Sequence, residues 1–139
     1  MKIEDIEREL PNGFHDALLQ NIFIDYDRHE AIFEMKVWIG DIDSESKELR
    51  EVYRKGQLKL GGLRYCIIEA PDPGYPWCDT KLTIDAGTVG SLKKAPSVRL
   101  PEPLSEEVSV HWLFIRQWNA FIYVSATDAR FEWTEEQAQ

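Results

Sequence analysis

The sequence predicts a mainly β fold: an antiparallel sheet of seven or eight strands, curled into a sandwich or an open barrel, with a short N-terminal helix. Three observations carry this. Apolar and polar residues alternate along most of the chain, which is the two-residue period of a sheet with one face on a core. Gly, Pro and short polar clusters punctuate the runs, as antiparallel connections require. Five tryptophans in 139 residues favour packed strands. The alternative is a two-layer α+β arrangement, with the helix and part of residues 87–106 laid over one sheet.

Ile3, Ile6 and Leu10 recur at helical spacing, and Pro11-Asn12-Gly13 ends the helix. So short a helix must dock its apolar side on the domain. Leu18–Tyr26 then reads as a strand, with Gln20, Ile22, Ile24 and Tyr26 on one side and Leu19, Asn21, Phe23 and Asp25 on the other. Asp27-Arg28-His29 turns the chain into Glu30–Ile39, whose Ala31, Phe33, Met35, Val37 and Ile39 share one face. Gly40–Leu49 is an acidic loop with room for one helical turn. Glu51–Gly61 is the next strand, with Gly56 marking a bulge or bend. Gly61-Gly62 is either a tight turn before a separate strand Leu63–Glu69 or the kink of one long strand.

Ala70–Trp77 carries three prolines and reads as a rigid loop tipped by Tyr75 and Trp77. Lys81–Ala86 alternates again, with Leu82 and Ile84 inward. Gly87–Leu104 is irregular: a lid, a partner loop or a plain connection. Val108, Val110, Trp112 and Phe114 alternate on one face of the next strand. Arg116-Gln117-Trp118-Asn119 turns the chain. Ala120, Ile122, Val124 and Ala126 alternate back, opposed by Phe121 and Tyr123. Both faces of this last pair are apolar, as in a covered sheet. Arg130–Trp133 is a short strand or an extension, and the polar tail 134–139 frays.

The chain reads as a single domain over residues 1–139. Its formal charge of −9 disfavours nucleic acid and anionic membrane as partners, while it suits a basic protein partner and solubility alike. Two cysteines, Cys66 and Cys78, in a chain long enough to need no staple indicate an intracellular protein. With no apolar leader core and no run long enough to cross a bilayer, the expected location is cytoplasmic.

Few residues have chemistry to offer. His15-Asp16 is the leading candidate, because a carboxylate beside an imidazole fixes its tautomer and raises its basicity. Neighbours on a strand point apart, so contact between them requires a turn there. The structural reading is that Asp16 caps the turn and His15 bonds a backbone carbonyl. His111 can share a cleft with His15, with Asp85 or Asp128 completing a three-ligand set, but no metal-binding spacing such as HxH or HExxH occurs. No metal and no cofactor are therefore expected. Asp41, Asp43 and Glu45 lack the glycine and glutamate of a calcium loop. Trp38, Tyr75, Trp77 and Trp118 form the candidate interface set, with core packing as the competing reading.

Gly13-Phe14-His15-Asp16-Ala17, followed by a strand ending Ile24-Asp25-Tyr26, resembles the opening of small bacterial domain families without an assigned function, some of them grouped with immunity proteins of toxin systems. The closing pattern Trp118-Asn119-Ala120-Phe121-Ile122 is similar in flavour. The resemblance implies a small, mostly β protein and toxin neutralisation, and it supplies no catalytic residue. Three functions follow as expectations. The first is a non-enzymatic acidic protein-binding domain, immunity-like. The second is a small-ligand binder or hydrolase with a cleft near His15, Asp16 and His111. The third is a structural homo-oligomer subunit.

Overall fold

The computed structural model describes residues 1–75, 80–88, 99–101 and 110–135. Among these lie helix α1 (Ile3–Glu9), strands β1 (Ala17–Asp25) and β2 (Glu30–Trp38), the single-turn helix α2 (Lys47–Arg50), and strands β3 (Tyr53–Ile68), β4 (Leu82–Thr88), β5 (Val110–Ile115) and β6 (Ala120–Trp133). The strands close into an antiparallel barrel in the order β1-β2-β3-β6-β5-β4. Mainly β architecture and the short N-terminal helix are as expected. The open barrel or sandwich of seven or eight strands is corrected to a closed barrel of six among the described residues. β3 continues through Gly61-Gly62, with Gly62 at φ +60°, and β6 includes Arg130–Trp133, so at both places the long-strand alternative holds and two pairs of expected strands are single ones.

Pairing explains the continuity. β2 stays beside β3 up to Glu30↔Gly61, after which β3 continues on β6 alone, to Ile68↔Ile122. The glycine pair lies where β3 leaves one neighbour and keeps the other. Gly56, expected to mark a bulge, sits in unbroken register between Met35 and Trp133. It is there because a Cβ would stand 2.3 Å from Phe131 Cζ.

The lumen is filled by Ala31, Phe33, Met35, Val37, Leu58, Leu60, Ile84, Leu113, Ile115, Ile122 and Val124, all buried. A narrow barrel of this kind leaves room for side chains and little else. β6 runs on to Trp133, past its last β5 partner at Val110↔Ser125, and α1 packs against this extension. Ile3, Ile6 and Leu10 join the core, and Ala129 N–H donates to Met1 O at 2.8 Å. Asp5 accepts from Lys2 N–H at 3.0 Å and holds the helix start. The helix thus seals part of the barrel rather than covering a sheet in a second layer, as the α+β alternative required.

The hairpin forms as expected, with Asp25↔Glu30 as its last pair and His29 at φ +53° in the turn. Its face assignment needs one correction. A bulge between Leu19 and Asn21 shifts β1, so that Leu19, Ile22 and Ile24 all pack on the core.

Candidate functional site

Helix α1 hands the chain to β1 through a run of tight turns: Gly13 N–H donates to Leu10 O, His15 N–H to Asn12 O and Ala17 N–H to Phe14 O. Gly13 (φ +57°) and Asp16 (φ +59°) both take the left-handed conformation that this winding demands. Asn12 Nδ2 donates to Trp38 O and Gly40 O at 3.2 and 2.9 Å, pinning the turn to the end of β2. Phe14 is 1 % exposed, 6.1 Å ring to ring from Phe131, and Ala17 is fully buried. Between these two anchors His15 and Asp16 are turned outward.

Sheet register supplies the rest. Ala17 pairs with Ile84, and Ile84 with Ile115, giving a buried row across β1, β4 and β5. The residue flanking each member of that row faces outward, because successive side chains alternate. Asp16, Asp85 and Arg116 therefore meet on the outer wall. His15 Nδ1 lies 2.5 Å from Asp85 Oδ1, and His15 Nε2 lies 3.3 Å from Asp16 Oδ2. Arg116 Nη2 contacts Asp16 Oδ1, and Arg116 Nε stands 3.3 Å from Asp85 Oδ2. The His15 ring also rests 6.2 Å from the Trp38 ring, whose Nε1–H donates to Arg50 O at 2.5 Å. Next to Arg116, the Gln117 side chain brackets Thr83: Oε1 accepts from Thr83 N–H at 2.7 Å, and Nε2 donates to Thr83 Oγ1.

One imidazole and two carboxylates converge here with donor atoms no more than 4.8 Å apart. Such nitrogen and oxygen donors suit a divalent ion such as Mn²⁺ or Zn²⁺. His15 pairs with side-chain carboxylates rather than with the backbone carbonyl of the structural reading, and Asp16 takes up strained backbone rather than a cap. The structure does not bring His111 to this site. His111 sits at the far end of β5 from Arg116, roughly 15 Å away at strand spacing. It is 5 % exposed, beneath α1, with Nε2 3.3 Å from Glu4 Oε1 but off the line of a hydrogen bond. Burial holds its pKa below the usual histidine value, against the opposing pull of Glu4. Asp128, the other suggested ligand, pairs with the Met1 ammonium at 2.9 Å.

Of the interface candidates, Trp38 and Trp118 are half-buried, with Trp118 packed on the core. Tyr75 is exposed, on a loop that Asp72 ties to the Trp118 turn: Asp72 N–H donates to Trp118 O, and Asn119 Nδ2 to Asp72 Oδ2. Trp77, Cys78 and most of residues 87–106 lie outside the described residues. Cys66 is a free, half-buried thiol that burial pushes up to about 11, so no nucleophile is poised there. Asp41 Oδ1 accepts from Asp43 N–H, closing a local turn in the acidic loop.

Arg116 is the member of the site that sequence reasoning missed, having been read only as a turn residue. Its signal was present: it follows an inward aliphatic, as Asp85 does. The strand order that makes these positions neighbours is not written locally. Comparison of the chain with protein-family models, curated proteins and solved structures returned no match, so the reading of the site rests on its own geometry.

Proposed function

We propose that this barrel is a small-ligand-binding protein that takes a divalent cation on its outer wall through His15, Asp16 and Asp85. The observation that carries the reading is the convergence of these three side chains from two separate segments, fixed by the buried row beneath them. An ion bound here takes the place of the direct His15–Asp85 contact and screens the two carboxylates from each other. The site lies on a wall, which supports binding rather than turnover. Calorimetric titration with Mn²⁺ tests it. Asp85→Asn and His15→Ala should each weaken binding by about tenfold or more, and Mn²⁺ should broaden the His15 ring resonances first. Absence of heat together with an unperturbed His15 spectrum would sink the reading.

A protein-binding, immunity-like role has a separate observation behind it. Phe23 and Tyr26 are 55 % and 76 % exposed at a hairpin tip carrying exposed Asp25, Asp27 and Glu30. Three carboxylates against the single cation of Arg28, which pairs with Asp25 at 3.8 Å, leave this aromatic tip net acidic, and such a tip fits a basic partner. Association with such a partner should weaken steeply between low salt and about 0.5 M salt, and should be lost in Phe23→Ser/Tyr26→Ser. Salt-independent association unaffected by those changes would count against it.

A further inference from the structure

Resting on the cation reading above, we propose that Arg116 is a resident counter-cation of the site. An incoming divalent ion displaces it from Asp16 and Asp85. The freed guanidinium then binds the anionic oxygen group that completes the coordination of the ion. The ligand class is accordingly a divalent cation carried together with a carboxylate or phosphate oxygen, not a bare ion.

Three observations lead there. First, Arg116 engages the same two carboxylates that would ligate the ion, Asp16 through Nη2 and Asp85 through Nε. Each carboxylate turns one oxygen to His15 and the other to Arg116, so an ion on the His15 side draws on the same two negative charges that hold the guanidinium, and the two cations compete for them. Second, the site sets two carboxylates against one guanidinium, and these three groups sum to a single net negative charge. A divalent ion reverses that sign, and one anionic group restores the balance. Third, three protein donors leave positions open on a six-coordinate ion. Arg116 is tethered beside them with room to move. Its backbone is fixed by the buried Ile115 and by Asn119 N–H donating to Arg116 O at 3.2 Å, while its side chain is 42 % exposed. A guanidinium fork is the natural partner for a carboxylate or phosphate.

The test uses Mn²⁺ alone and then inorganic phosphate. In chloride buffer, Arg116→Gln should bind Mn²⁺ about tenfold more tightly than the wild type, because the competing charge is gone. Arg116→Lys keeps the charge and should stay within about threefold of the wild type. Phosphate should bind the Mn²⁺-loaded wild type, and bind the loaded Gln variant about tenfold more weakly or not at all. Gln-variant affinity for Mn²⁺ at or below the wild-type level overturns the proposal, as does equal phosphate binding by the two loaded proteins. If no form binds Mn²⁺, the cation reading itself falls, a distinct outcome. Should the Gln variant not fold, the wild-type Arg116 Nε–H resonance decides. Zn²⁺ must shift it and phosphate must shift it again, and a resonance unmoved by Zn²⁺ overturns the exchange.

Discussion

Asp16 allows the fold and the site to be separated with one position and two substitutions. Its left-handed backbone (φ +59°) strains any residue with a Cβ by about 1–2 kcal/mol, somewhat less for aspartate. Asp16→Gly relieves that strain. It adds about 0.5–1 kcal/mol of unfolded-state entropy and removes a partly exposed ion pair with Arg116 that contributes about 0–1 kcal/mol. The contributions nearly cancel, so the Gly variant should unfold within about 1 kcal/mol of the wild type. Asp16→Ala loses the same ion pair and carries slightly more strain than aspartate does, so it should be about 0.5–1 kcal/mol less stable than the wild type. Urea denaturation reads the difference: with a slope of about 2 kcal/mol per molar, the Ala midpoint should fall about 0.25–0.5 M below the Gly midpoint. Both variants lose one of the three donors and should bind Mn²⁺ about tenfold more weakly. A Gly variant destabilised by more than about 2 kcal/mol would show that the Asp16–Arg116 contact holds the barrel together. Unchanged Mn²⁺ affinity would remove Asp16 from the site.

Two further predictions probe the architecture that positions the site. Gly56→Ala puts a methyl against the Phe131 ring in a buried stretch of continuous register, and should cost about 1–3 kcal/mol by chemical denaturation; a neutral result would mean the ring moves freely. The lowered pKa of His111 means that the unfolded chain binds its proton first as pH falls. The stability it supports is therefore full above its ordinary value of 6.5 and lost on descending from there towards the folded value. Glu7, raised by burial and by Glu4, works in the opposite sense above 4.5, so the comparison must be made between variants. Denaturation of the wild type and of His111→Phe at pH 7.5 and 5.5 should show the larger loss in the wild type, and an equal loss in both would remove His111 as the source.

Much of the barrel was legible because its signals are local. Ala31, Phe33, Met35 and Val37 alternate in sequence and are all buried, with nothing but strand period behind them. The N-terminal helix followed from Ile3, Ile6 and Leu10, now all core residues. The failures have a different character. Leu19 appeared to oppose Ile22 because a bulge leaves no mark in an alternating pattern. Gly61-Gly62 was legible only as a choice between a turn and the kink of one long strand, because the β6 partner that decides for the kink is far off in sequence.

The faces of β5 are instructive, since the expected cleft misplaced a histidine. Both faces of the strand read as apolar in sequence, with the larger residues Trp112 and Phe114 opposite His111, which left His111 free to share a cleft with His15. In the fold His111, Leu113 and Ile115 point inward, while Trp112 and Phe114 lie on the outer wall against Phe121 and Tyr123, with ring centroids 4.9–5.8 Å apart. A six-stranded barrel has too narrow a lumen for a row of aromatic rings, so mainly aliphatic residues fill it, with Phe33 among them, and the rings of β5 pack outside. Tyr123 is buried even there, at 1 % exposure. The same rule that sends Ile115 and Ile84 inward turns their neighbours Arg116 and Asp85 outward. Once closure is known, the site follows from β5 and β4 as directly as the core does. Before closure is known, neither residue differs from an ordinary surface charge.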